Sequence, residues 1–233
     1  LGINISTANM HRFGLNKSRP NITKILYLFA LKDLKKQIKI FKPNLIHAHY
    51  ASSYGILAAL SNFKPYFISI WGGDVFLFTN NFIMRKLLKF ALYKAERLFS
   101  TSRVINELVI DQYKIATYII PFGVDISRFS PIVQKSTNPL IIGTIKGIEP
   151  HNGIEHLIDA FNLLVKKKIK NIELYIVGTG RLENKMKLKV KKNGLSKLVR
   201  FLGYVPHQDI VSHYHKLSIF VCVSTRESFG VSV

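Results

Sequence analysis

Cysteine, acidic side chains and long apolar runs are scarce in this 233-residue sequence. Cys222 is the only cysteine, so no disulfide can close within the chain, and a reducing, cytoplasmic compartment is the expected setting. Asp and Glu number 13 against 34 Lys and Arg, leaving a formal net charge of +21. An excess of that size implies an anionic partner: a phosphorylated small molecule, a phospholipid surface or nucleic acid. A general lysine-rich bias explains it as well, so charge does not choose among them. No apolar run approaches the ~20 residues that cross a bilayer, and no signal-peptide pattern is visible. Hydrophobic residues still make up 48%, enough for a packed core and unlike a disordered chain.

What is present is an alternation of short apolar runs with amphipathic helices. Residues 1–21, with Gly2, Gly14 and Pro20, read as loop. A helix follows over 22–42, with Tyr27, Leu31, Leu34, Ile38 and Phe41 on one stripe and Lys32, Lys35, Lys36 and Lys39 on the other, before Pro43 breaks it. Strands are expected at 45–49, 66–70, 98–101 and 118–120, and helices at 52–61, 82–96 and 104–112. The 82–96 helix turns Met84, Leu87, Leu88, Ala91 and Ala95 inward, with Arg85, Lys86 and Lys89 on the same turns. PFGVDISRFSP at 121–131 has the punctuation of a connection between units. The alternation then restarts, with strands at 140–145, 172–177, 199–202 and 219–223 and helices at 153–168, 181–193 and 207–216, the second stopped by Gly194. Strands alternating with helices specify right-handed βαβ units and parallel sheets. The fold class is therefore α/β, with two Rossmann-like domains over 1–130 and 139–233 and a cleft between them.

Three strand-to-helix loops of the second half could carry chemistry. Lys146 to Gly153 leads into a helix whose free N–H groups and partial positive charge can hold a phosphate, with the Lys146 ammonium adding a full charge; an ordinary glycine turn reads as well. Gly178 and Gly180 form a glycine pair that alone is more often a tight turn than a ligand loop. After the 219–223 run, expected to be a strand buried on both faces, come Ser224, Thr225, Arg226, Glu227, Ser228, Phe229 and Gly230. A carboxylate beside a cation at the carboxyl end of such a strand sits where open α/β sheets bind ligands. The plain alternative is a turn with Glu227 near a helix start.

Taken in order, LIHAHYA, WGGD, PFGVDISRFSP, IGTIKGIEPHNGIEHLIDAF, YIVGTG, VRFLGYVPHQDI and FVCVSTRESFG resemble the family 4 glycosyltransferases of GT-B fold, over residues 40–233. The resemblance implies two facing Rossmann-like domains. The second binds a nucleotide-diphosphate sugar, and the first holds a glycan or lipid-linked acceptor in cell-surface polysaccharide or glycolipid synthesis. Transfer would retain configuration and typically needs no metal. The nucleotide-sugar is a co-substrate, and no cofactor is implied. Glu227 matches the first of the family's paired glutamates and would bind the sugar's hydroxyls, flanked by Arg226, Ser228 and the backbone of Phe229 and Gly230. Its partner, eight positions on, would lie beyond Val233, and with Leu1 at the start the chain is expected to be a fragment. Gly178 would border the donor, and Gly203–Tyr204 the nucleobase.

Two departures from the family pattern stand out. Gly147 and Asn152 occupy the places of an Arg and a Lys that grip the diphosphate, leaving Lys146 to substitute beside Gly153. Trp71 replaces a histidine next to Gly72, while Asp74 remains. Lys146, Glu227 and Asp74 are thus the expected catalytic set, with His49, Trp71, Gly72 and Asp74 in the acceptor cleft. Of His47 and His49 only one is expected to reach that cleft. His207, His213 and His215 are spaced like metal ligands but have no acidic or cysteine partner nearby, so no metal site is expected. The basic helix faces suit bulk solvent, docking on the inner face of an anionic membrane or, least well, nucleic acid, because the aromatics are spaced for burial. Alternative functions are another GT-B enzyme, such as a nucleotide-sugar epimerase, or a non-catalytic basic module.

Overall fold

β-branched runs such as YFISI and LIIGTI cannot bury both faces alone, so they pair side by side beneath amphipathic helices. The computed structural model describes residues 23–76, 81–132 and 138–233, with side chains from residue 30 onward; the loop expected over 1–21 lies outside them. The chain divides into two units, one ending at Pro121 and one running Phe122–Val233.

The first unit runs α1 (Thr23–Phe41), β1 (Ile46–His49), a π-helical turn Ala51–Gly55 continuing into α2 (Ile56–Ser61), β2 (Tyr66–Ile70), α3 (Gly73–Phe76), α4 (Phe82–Lys94), β3 (Arg97–Ser100), α5 (Arg103–Tyr113) and β4 (Tyr118–Ile119). Its strands form one parallel sheet in the order β1-β2-β3-β4. Side-chain caps start two helices: Asn81 accepts from the Met84 N–H (3.0 Å) and Ser102 from that of Ile105 (3.3 Å). Leu88, Ala91 and Leu92 of α4 and Ile105 and Val109 of α5 share one core with Ile68 and Ile70. The inward set of α4 thus includes Leu92, while the expected Leu87 is exposed. The opposite face of β2 and β3, with Phe67 and Phe99, stays half-buried among the described residues.

The second unit runs β5 (Leu140–Ile145), α6 (Ile154–Lys166), β6 (Ile172–Val177), α7 (Glu183–Lys192), β7 (Val199–Gly203), α8 (Ile210–Tyr214) and β8 (Ile219–Phe220). The sheet order is β7-β6-β5-β8, all parallel. Ile154, Leu157, Ile158 and Phe161 of α6 and Met186 and Val190 of α7 cover one face; Ile210 and Tyr214 of α8 cover the other. Gly194 ends the basic helix at φ 71°, as its position predicts. Two expectations change. Among the described residues the 219–223 run contributes a two-residue strand, Ile219–Phe220, that pairs with β5, and Ile219 is exposed. Residues 122–131 belong to the second unit: Arg128 donates to His207 Nδ1 (3.1 Å), and His215 donates to the Ser130 carbonyl (3.1 Å).

Candidate active site

Three loops at the carboxyl edge of the second sheet lie backbone against backbone. The β5–α6 loop rests on the β6–α7 loop through Ile148 N–H to Thr179 O (3.0 Å) and Leu182 N–H to Ile148 O (3.1 Å). Glu149 accepts from both the Arg181 backbone (3.1 Å) and its guanidinium (2.7 Å). Glycine is required where these backbones meet. A Cβ on Gly178 (φ 132°) would lie 2.2 Å from the Lys146 carbonyl, and one on Gly180 2.4 Å from that of Ile148. The VGTG glycines therefore pack the first loop.

The segment after β8 docks on the same loop. Gly153 adopts φ 69°, and a Cβ there would come within 2.1 Å of the Val223 carbonyl. Thr225 N–H donates to His151 O (2.9 Å) and Ser224 Oγ to Asn152 Oδ1 (3.5 Å). These contacts place Ser224 and Glu227 over the start of α6. Lys146 Nζ donates to Ser224 Oγ (3.0 Å) and forms an ion pair with the Glu227 carboxylate. The lysine side chain is 10% exposed and the carboxylate 37%. Partial burial pushes the Glu227 carboxyl up, but Lys146, Ser224 and the Gly230 backbone outweigh it and hold the group below its ordinary value. Burial likewise raises the Cys222 thiol, while Ser224 and the Lys146 ammonium bring it below the ordinary thiol value.

The other residues expected at the donor divide. Asn152 Nδ2 donates to Gly147 O (2.8 Å), so it braces the loop. Arg226 is exposed, Ser228 is half-buried, and Phe229 meets Phe122 edge to face at 5.8 Å. Gly203 (φ 71°) accepts from the Gly178 N–H at 2.7 Å, and Tyr204 is exposed. Residues 221–233 form bends and turns around Glu227. Ser224 and Cys222 were missed as neighbours of the pair, although Ser224 stands only three residues before Glu227.

In the first unit, Asp74 is fully buried and accepts from the backbone N–H groups of Ala51 (2.7 Å), Trp71 (3.1 Å) and Gly72 (2.8 Å). Burial raises its carboxyl and these donors lower it, with a net upward shift. The expectation of Asp74 as a catalytic group open to a cleft is therefore corrected: a carboxylate with no exposed surface holds the loop that carries Trp71. His47 and His49 share the outer face of β1, because residues two apart in a strand point the same way; their rings lie 4.2 Å apart, correcting the expectation that only one could face outward. His49 also meets Trp71 at 5.7 Å, and His47 bonds Ser69 Oγ at 2.8 Å. Burial and the neighbouring His49 lower the His47 imidazole. Gly72 is buried at φ 111°.

The model of "Glycosyl transferase 4-like" proteins matches residues 3–102, and that of "Glycosyl transferases group 1" matches residues 125–233. The chain belongs to the group 1, GT4-like glycosyltransferases. Its fold is GT-B. This glycosyltransferase chain is 28% identical to an uncharacterized glycosyltransferase of Methanocaldococcus jannaschii, over 89% of its length and 57% of that protein. It is 26% identical to an Escherichia coli UDP-Gal:alpha-D-GlcNAc-diphosphoundecaprenol alpha-1,3-galactosyltransferase, over 91% of this chain and 60% of the other. Among solved structures, sucrose-phosphate synthase of Thermosynechococcus elongatus superposes with a TM-score of 0.75 at 18% identity, covering 92% of this chain and 59% of that one. Anabaena HepE in complex with UDP gives 0.72 at 17% identity, covering 87% and 59%. The glycosyltransferase chain thus spans under two thirds of the length of each.

Proposed function

We propose that the whole protein moves a hexose-type sugar from a nucleotide-diphosphate sugar to a glycan or lipid-linked acceptor, with retention, in polysaccharide or glycolipid synthesis. The observation that carries this reading is the meeting of Lys146, Ser224 and Glu227 over the start of α6. A nucleotide-sugar donor is supported by HepE structures holding UDP and UDP-glucose and by a curated relative named as GDP-mannose-dependent.

As the sugar–phosphate bond breaks, the ring gains oxocarbenium character and negative charge gathers on the departing diphosphate. The Lys146 ammonium and the first N–H groups of α6 meet that charge, each well-placed donor lowering the barrier by roughly 3–4 kcal/mol. Glu227 pairs with the lysine. An arriving diphosphate shares Lys146 and releases the Glu227 oxygens to accept from sugar hydroxyls. The acceptor hydroxyl attacks the anomeric carbon on the face the diphosphate leaves, and its proton passes to a diphosphate oxygen, so no second carboxylate is required. His49 and Trp71 present the acceptor-side surface, fixed from beneath by Asp74.

A thermal-shift series on the full-length protein with UDP, GDP and their glucose, galactose and mannose conjugates tests this. One nucleotide series should raise Tm, and turnover with that donor should persist in EDTA. No shift from any nucleoside diphosphate would overturn the reading.

A further inference from the structure

Helix α4, FIMRKLLKFALYK, contains no acidic residue. Its buried side is taken by Leu88, Ala91 and Leu92, yet Phe82 (69% exposed), Ile83 (70%) and Phe90 stand in solvent on the other side, as does the ring of Tyr93, whose hydroxyl donates to the Tyr113 carbonyl (3.1 Å). At about 100° per residue these four fall within an arc of about 100° on the helix, with Lys86 among them. Three cations lie over the exposed rings: Lys86 over Phe82 at 4.3 Å, Lys94 over Phe90 at 4.6 Å and Lys89 over Tyr93 at 5.4 Å. The sequence pattern had marked these aromatics for burial, and the structure turns them out. On α1, which contacts α2 as α4 does, Lys32, Lys35, Lys36 and Lys39 are exposed too.

We propose that the outer face of α4 docks on an anionic phospholipid surface. Large apolar side chains ringed by lysines on a helix otherwise anchored to the domain suit the boundary between headgroups and acyl chains: rings enter the boundary while ammonium groups stay with phosphates. A protein partner with an apolar groove would satisfy the rings but not three lysines with no acidic neighbour on the helix; nucleic acid would satisfy the cations but not Ile83. The face lies in the first unit and the donor loops in the second, so this inference and the donor reading can fail separately.

Flotation of the full-length protein with phosphatidylcholine vesicles, with and without phosphatidylglycerol, tests the proposal. Binding should require phosphatidylglycerol. It should fall by roughly tenfold or more in Lys86→Glu/Lys89→Glu and to a similar degree in Phe82→Asp/Ile83→Asp. The second pair places acids in the first helical turn, where they favour the helix, so circular dichroism should show α4 retained. Equal partition into neutral vesicles, or full binding by both variants, overturns the proposal. So does a vesicle-independent dimer that Phe82→Asp/Ile83→Asp disperses, or binding of DNA in place of vesicles.

Discussion

Lys146 and Glu227, 81 residues apart in sequence, form a direct ion pair beside Ser224, which also accepts from Lys146, at the carboxyl edge of one parallel sheet. The pair holds a partly exposed carboxylate on a nearly buried ammonium, so its contribution to folding is small, below about 1 kcal/mol, and its expected use is chemical. Lys146→Met should lower kcat/KM about 10²–10³-fold with the unfolding midpoint nearly unchanged. Glu227→Ala should abolish transfer in a folded protein; turnover at the wild-type rate would remove it from the sugar site.

The Glu227 carboxyl titrates below its ordinary value of 4.5 once Lys146, Ser224 and Gly230 outweigh partial burial. A carboxyl depressed in the folded state binds its proton less readily there than in the unfolded chain. The pair's stabilisation is thus fully present above pH 4.5 and is lost as pH falls through the lower folded value. Comparing urea midpoints of wild type and Glu227→Gln across that acid range should show the difference between them narrowing toward low pH.

Gly153 and Gly194 both adopt positive φ, near 70°, yet only Gly153 has a neighbour: its Cβ would stand 2.1 Å from the Val223 carbonyl, and that of Gly194 would meet nothing within 4 Å. Gly194→Ala should cost about 1 kcal/mol from backbone conformation alone. Gly153→Ala should cost roughly 2 kcal/mol or more and weaken donor binding, because the 222–230 segment must lift from the α6 loop.

Nothing in the backbone obstructs a side chain at Gly147, whose nearest backbone neighbour to a Cβ is the Thr179 carbonyl at 3.5 Å. Gly147→Arg would restore a second cation beside Lys146 and should lower the KM for the donor, read in initial-rate kinetics, without loss of stability.

Asp74→Ala leaves two buried N–H groups, on Ala51 and Gly72, and the part-buried one of Trp71 without their acceptor. The expected destabilisation is about 3 kcal/mol, measured by urea unfolding. Asp74→Asn keeps the volume and one acceptor oxygen, and should lose less. Both should raise the KM for the acceptor through the displaced Trp71 loop.

Much of this molecule can be read along the chain, because local patterns carry their own physical cause. β2, β5 and β6 fall on YFISI, LIIGTI and IELYIV residue for residue, since β-branched runs between breakers suit a pleated, buried surface. Gly194 stops α7 as its lack of a Cβ predicts. Lys146 and Glu227 were legible as residues of interest from the loops they occupy, but their pairing was not.

Sequence by itself determined the alternation of strands and helices, the two sheets, and the strand ends where charged side chains gather, because those follow from periodicity and turn chemistry within a few residues. Tertiary structure alone decided which groups meet water and which meet one another. It sealed Asp74 beneath a loop, turned the rings of α4 outward, and set Glu227 on Lys146. Those outcomes depend on what packs over each face, and packing is decided by contacts between segments far apart along the chain.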